Sequence, residues 1–367
     1  MLSRVLAVLL AISILLANAR AGGATTNRLV LAFYYPWYDQ HTWNDPNVPD
    51  HPPDRYNSTD PTVMARQIDQ AKGANIDAFV SAWYGPSTQF NQTETNLRTL
   101  LGLAQRKGFS AGVLFETAGP FFHSAGDVQN ALTVLLSTHA ASPAYLRWDG
   151  KPVIFFWAQG QYSRATWQSI RAQVDPNHNS LWIAEGFDMS LQGIFDGDYL
   201  YNIAWAGDVG ATEQQWASRV RSAGGQWVGT VMPGWDDTRL VERAGRYARS
   251  RDGGAWYGRS WTGAASTNPE WIVITSWNEF VENTYIEPSA NLGTQYLDLT
   301  RSLASAWKAG APSPTVPQPV SQAVQTPTPT RAPTATPTRT PPRADAVSLV
   351  ARPVECPTTI WEFCLTR

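Results

Sequence analysis

Trp271-Ile272-Val273-Ile274-Thr275-Ser276-Trp277-Asn278-Glu279-Phe280-Val281-Glu282-Asn283-Thr284-Tyr285-Ile286-Glu287-Pro288 runs from a β-branched apolar segment straight into three glutamates interleaved with aromatic rings. Ile272, Val273 and Ile274 suit a packed, pleated strand, whereas Asn278, Glu279, Glu282 and Glu287 would be costly anywhere but in a cleft or a solvated loop. The segment reads as a buried strand emptying into a polar site. Glu279 and Glu282 stand three residues apart. A single turn brings both carboxylates to one face, where they can address one bond of a small molecule.

Upstream, the same kind of strand recurs. Leu29-Val-Leu-Ala-Phe-Tyr-Tyr35 reads as the first and ends in Pro36-Trp37-Tyr38, before a long Pro/Asp-rich loop to Asp60. Asp60 as N-cap, Pro61 at the first helical position and Gly73 as terminator mark a helix over 61–72. A second strand follows over 76–83. The unit repeats as helix 91–107, strand 110–116, helix 127–140, strand 153–157, helix 163–174, strands 181–185 and 199–203, helix 212–223 and strand 227–231. The strand that opens at Trp271 and a helix over 293–309 complete it. These eight strands are apolar rather than alternating and are separated by helices or helix-length segments. Such strands are buried on both faces, which predicts an α/β fold, a parallel (β/α)8 TIM barrel in a single catalytic domain over 28–309. A doubly wound open sheet is the alternative, but no glycine-rich phosphate turn follows the first strand.

The polar and aromatic residues at the ends of these strands are then the expected site, because barrel enzymes build on the C-terminal face. Tyr34, Tyr35, Trp37, Tyr38, Trp83, Glu116 and Trp157 belong to this set, with Trp235 and Asp236 beyond the seventh strand and Trp277, Asn278, Tyr285 and Glu287 beyond the eighth. Neighbours on a strand point opposite ways, so at least two of the four rings from Tyr34 to Tyr38 are expected in the core.

Composition limits the partners. The chain has 367 residues, 43% hydrophobic, 16% charged, with a formal net charge of -2, enough for one large soluble core and no evident partner in nucleic acid. Its 17 Trp exceed what such a core requires, and flat amphipathic rings stack on sugar faces, although core packing accounts for most of them. Arg4, an apolar run over 5–16 and small residues up to Ala21 read as a secretory signal peptide, too short to span a membrane and implying export with no span after cleavage. Residues 310–343, rich in Pro and Thr, read as an extended linker, and 344–367 as a short tail in which Cys356 and Cys364 are suited to a local disulfide. A monomer is expected.

No His/Cys cluster has metal spacing, and neither a Gly-x-Ser-x-Gly elbow nor a phosphate loop is present, so no metal or other cofactor is expected. Carboxylates with aromatics remain, the equipment of glycoside hydrolysis: one group protonates the leaving oxygen, a second supplies nucleophile or base, and rings hold the sugar. A solvated loop or an ion pair would explain the glutamates without catalysis, and a secreted sugar-binding barrel that has lost catalysis fits the aromatics equally well.

The run Asn278-Glu279-Phe280-Val281-Glu282-Asn283-Thr284-Tyr285-Ile286-Glu287-Pro288, with Tyr34-Tyr35-Pro36-Trp37-Tyr38, resembles glycoside hydrolase family 99, the endo-α-mannosidases and endo-α-mannanases, over about residues 29–308. The resemblance implies that Glu279 is the base that deprotonates the sugar 2-hydroxyl, which attacks the anomeric carbon to give a 1,2-anhydro sugar, and that Glu282 is the acid/base. Retention without a covalent enzyme intermediate follows. The family pattern has Trp where Phe280 stands, which bears on substrate identity, and Gly where Asn283 stands; Asn tolerates a left-handed backbone, so the turn can be kept. The motif is also similar, more weakly, to the Trp-Asn-Asp-x-Gly-Glu pattern of glycoside hydrolase family 71, the α-1,3-glucanases. For the acid role, Glu282 is expected to be surrounded by Val281 and by the like charges of Glu279 and Glu287, and Glu279 to be kept ionised beside Asn278.

Overall fold

A computed structural model describes residues 28–316. The expected signal peptide, most of the expected linker, and Cys356 and Cys364 lie outside the described residues. The barrel strands are β1 (Leu29–Tyr34), β2 (Ala78–Trp83), β3 (Ser110–Glu116), β4 (Lys151–Trp157), β5 (Leu181–Glu185), β6 (Gly197–Tyr199), β7 (Gln226–Val231) and β8 (Trp271–Ile274). Helices α1 (Pro61–Gly73), α2 (Gln92–Lys107), α3 (Ala125–Ser137), α4 (Arg164–Val174), α5 (Val209–Ser222), α6 (Ala255–Ser266) and α7 (Gln295–Lys308) surround them. Each strand pairs in parallel with the next, and β1 closes on β8 through Leu29 opposite Trp271 to Ala32 opposite Ile274. This is the expected (β/α)8 barrel.

Strand alternation sorts the apolar residues into two cores. Leu31, Phe33, Phe155, Tyr199, Trp271 and Val273 fill the barrel interior, with the Phe33 ring 5.8 Å from Phe155 and 5.3 Å from Tyr199. Val30, Ala32, Tyr34, Phe79, Phe115 and Ile274 face outward onto the helices. Trp167 and Trp182 also lie in this outer layer, so part of the indole surplus is core packing.

Helix starts follow the local chemistry. The Asp60 carboxylate accepts from the Thr62 N–H ahead of Pro61, and Asn91, Ser124, Ser163 and Asp208 cap α2 to α5 in the same way. Two elements differ from expectation. α6 is a helix that no start signal announced: its N-cap is Gly254 at φ 106, without a side-chain acceptor, and Gly258 and Gly263 weaken its intrinsic preference. Burial of Trp256, Tyr257 and Trp261 holds it instead. β6 ends at Tyr199 rather than running over 199–203, and only a 3-10 turn at Met189–Leu191 lies between β5 and β6. Asp196 and Gly197 look like a turn in sequence. In the fold the Asp196 carboxylate accepts from the Trp182 N–H at 2.8 Å and from Arg171 at 3.1 Å, which ties the start of β6 to β5 and α4. Among the described residues no helix is long and apolar enough to cross a membrane.

Candidate active site

Beyond Ile274 the chain folds back on itself at the C-terminal mouth of the barrel. The Trp277 N–H donates to Phe33 O at 2.8 Å, and the Asn278 side chain accepts from the Tyr35 N–H at 2.8 Å and donates to Tyr35 O at 3.0 Å. An amide thus continues the β8–β1 ladder past the end of both strands. The Ser276 hydroxyl meets the Thr284 hydroxyl at 2.8 Å and accepts from the Glu279 N–H at 2.8 Å. Asn283, between them, takes the left-handed conformation at φ 53, and its carbonyl accepts from Arg251 at 3.0 Å. This closed turn holds Glu279 and Glu282, both buried, at the mouth.

The two carboxylates have different surroundings. Tyr201, from the loop after β6, donates its hydroxyl to Glu279, and Tyr35 then donates to Tyr201 at 2.5 Å. Glu282 meets Arg243, whose guanidinium is 2.6 Å from its carboxylate and 3.5 Å from Asp237. Arg243 arrives on the long loop after β7, which carries a small hairpin of Trp235–Asp236 and Ala248–Arg249. The Asp236 N–H donates to Glu282 O at 2.8 Å, which fastens this loop to the turn. Two carboxylates on one turn at a barrel mouth, one against a tyrosine hydroxyl and one against a guanidinium, can serve as base and acid on a single bond.

Residues 49–306 match the family model for glycosyl hydrolase family 99. The chain belongs to that family. A glycoprotein endo-alpha-1,2-mannosidase of Rattus norvegicus is 26% identical over 337 residues, covering 74% of this chain and 71% of the relative. A glycoprotein endo-alpha-1,2-mannosidase-like protein of Homo sapiens is 26% identical over 269 residues, covering 66% of this chain and 58% of the relative. Among solved structures, the GH99 endo-alpha-mannosidase from Bacteroides thetaiotaomicron has the same fold, with a TM-score of 0.67 at 22% identity over 77% of this chain and 98% of that one. The protein is a glycoside hydrolase.

In this family 99 enzyme the expected site residues divide. Tyr35, Trp37 and Tyr38 gather beside Glu279 on the inner side, with Trp37 stacked on Tyr84 at 6.2 Å. The Tyr38 hydroxyl donates to Asn278 O at 2.6 Å and accepts from the Phe280 N–H at 3.1 Å. Glu116 and Trp157 stand side by side where β3 and β4 end. Trp235 stacks on Tyr247 at 6.0 Å, while the Asp236 carboxylate turns to the Thr238 N–H at 3.0 Å and its hydroxyl at 2.6 Å, closing its own turn. The Tyr285 hydroxyl donates to Asp50 at 2.7 Å under a stacked Phe280 ring 4.2 Å away.

Four expected cleft residues are elsewhere. Tyr34 and Trp277 belong to the layer between barrel and helices, as does Trp83, whose indole N–H donates to Glu94 at 2.7 Å. Glu287 is buried behind the turn, where Gln67 and Tyr56 donate to its two oxygens at 2.7 and 2.9 Å. Each is on the wrong side for a sugar because of strand parity or the fold-back of the turn. Phe280 is also enclosed, edge-on to Tyr38 at 6.0 Å and Trp43 at 5.4 Å, so the smaller ring is a packing choice. The like charge of Glu287 expected around Glu282 is replaced by the Arg243 cation.

Tyr201 and Arg243 were not anticipated. Tyr201 has a sequence signal, since it keeps the inward parity of Tyr199 two residues on. Arg243 has none, because it lies on a loop with no repeating pattern.

Proposed function

We propose that the enzyme is a secreted, monomeric, endo-acting α-mannosidase or α-mannanase that works with retention through Glu279 and Glu282. The observation that carries this is the contrast between the two carboxylates on one turn: the Tyr201 hydroxyl at Glu279, a guanidinium at Glu282. Glu279 takes the proton of the sugar 2-hydroxyl, O2 attacks the anomeric carbon, the glycosidic C–O bond breaks, and Glu282 gives its proton to the leaving oxygen. Water then opens the 1,2-anhydro sugar, losing a proton to Glu282 while Glu279 returns one to O2. Substrate entry has to exchange Arg243 for the glycosidic oxygen before Glu282 acts on it, since the guanidinium sits against the carboxylate at 2.6 Å. The α-mannoside specificity is supported by the names of the relatives, and secretion by the run after Arg4.

The test is hydrolysis of an α-mannan panel by the wild type, Glu279→Gln and Glu282→Gln. Glu282→Gln should slow substrates with poor leaving groups by roughly 10²–10⁴-fold and activated aryl glycosides far less, while Glu279→Gln slows both alike. A substrate lacking the 2-hydroxyl should not turn over. Clean turnover of that 2-deoxy substrate would remove the anhydro-sugar route, and no activity on any α-mannoside would remove the substrate assignment.

A further inference from the structure

Among the described residues, three aromatic rings on loops that follow barrel strands are exposed, Phe90 after β2 and, in contact with each other, Phe187 at 54% and Trp205 at 46%. Phe187 and Trp205 sit on the loops that follow β5 and β6, and their centroids are 5.7 Å apart at 73°. Exposed rings of this size leave water ordered on an apolar face, so a pair held together outside the core requires an explanation beyond folding. Both are held in place. The Trp205 indole N–H donates to Asn202 O at 2.7 Å, Arg249 donates to the carbonyls of Ala204 and Ala206 at 2.8 and 3.2 Å, and Phe187 packs on Trp216 at 4.8 Å. With the indole N–H engaged at the backbone, what Trp205 presents outward is ring surface.

The pair is also connected to the carboxylates. Tyr201 donates to Glu279 and is followed by Asn202, which holds Trp205 and accepts from the Tyr247 hydroxyl at 3.1 Å. Tyr247 stacks on Trp235, and the next residue, Asp236, is bonded to the Glu282 backbone. A chain of largely buried hydrogen bonds and ring contacts thus ties the loop that carries Trp205 to the catalytic turn.

We propose that Phe187 and Trp205 form a stacking platform for pyranose units of the same glycan chain, beyond those held at the catalytic carboxylates. The axial C–H face of a pyranose carries slight positive charge and is apolar, complementary to the electron-rich face of a fixed indole or phenyl ring. Both rings lie on loops at the catalytic end of the barrel, Trp205 four residues beyond the Tyr201 that donates to Glu279, and this position selects the substrate chain as the occupant over an unrelated protein. This rests on the glycan-hydrolysing reading of the site and adds that substrate length is read on the β5–β6 side of the mouth.

Phe187→Ala, Trp205→Ala and the double variant, in the full chain, test this on α-linked manno-oligosaccharides of increasing length. KM should rise roughly five- to tenfold for the longest substrates, with kcat unchanged and the shortest substrate unaffected, and Trp205→Tyr should recover part of the loss. Equal losses at every length, or none at any, would overturn the platform. A second arm keeps this separate from the substrate assignment: in the Glu279→Gln background, electrophoretic retardation in gels containing α-mannan or other neutral polysaccharides should fall in the double variant. If wild type cleaves no α-mannoside yet is retarded by another polysaccharide and the double variant is not, the platform stands and the substrate assignment falls. Absence of retardation by every polysaccharide, or a change only in sedimentation, would overturn the platform in favour of a protein contact face.

Discussion

Burial pushes the Glu287 carboxyl up to about 7, although Gln67 and Tyr56 both donate to it, because desolvation outweighs two hydrogen bonds. It sits in a chain that runs from Tyr34 through Gln67 to Glu287 and on through Tyr56 to Asn278, the amide that clamps β8 to β1. A carboxyl whose folded value lies above its ordinary 4.5 binds more protons folded than unfolded. Its contribution is therefore fully present below about 4.5 and is lost as pH rises through about 7, up to roughly 3 kcal/mol. Asp198, raised by desolvation and then by Glu185, and Glu213, raised by desolvation, add slopes of the same sign. Glu287→Gln should flatten, without abolishing, the fall in thermal midpoint between about pH 5 and pH 7. Identical slopes in wild type and variant would mean that Glu287 is not the group that titrates.

At the scale of elements, the turn after β8 is held by one residue with a positive φ. A side chain with a Cβ pays steric strain in the left-handed region, which Asn offsets through its short polar group and Gly avoids. Asn283→Gly should therefore change stability by no more than a few tenths of a kcal/mol, while Asn283→Ala costs about 1 kcal/mol. Chemical denaturation midpoints read the difference, and equal midpoints for the two variants would show that the left-handed turn is not what Asn283 is needed for. α6 makes the complementary point. Gly263 approaches Gly210 so closely that an added Cβ would lie 3.0 Å from the Gly210 Cα, so α5 and α6 cross at a point that helix propensity would never favour. A segment of poor intrinsic helix formers is made helical by what it packs against.

For the molecule as a whole, the closed barrel leaves no strand edge among β1 to β8, and the first and last helices, α1 and α7, meet each other around it. A chain that stops at Val316 is expected to unfold in one cooperative transition, with a midpoint within about 2 °C of the full chain. A larger drop, followed by scanning calorimetry, would show that residues 317–367 support the barrel. Seven of the eight strands, the boundaries of the helices other than α6 and the Glu279/Glu282 turn were legible in the sequence, because β-branched runs, N-caps and spacing along the chain are local properties, whereas β6 starts at what looks like a turn. Which rings face the sugar was only half legible: parity required neighbours such as Tyr34 and Tyr35 to face opposite ways without saying which faces inward, and nothing local said that the chain after Ile274 folds back and buries Glu287 against Gln67. Tyr201, Arg243 and the exposed Phe187–Trp205 pair come to the mouth from loops far from β8 in sequence, and α6 takes its shape from its neighbours. The sequence by itself determined the barrel and the carboxylate pair, since both depend on residues near one another along the chain; the partners of those carboxylates and the rim around them depend on contacts between distant loops, which only the closed barrel brings together.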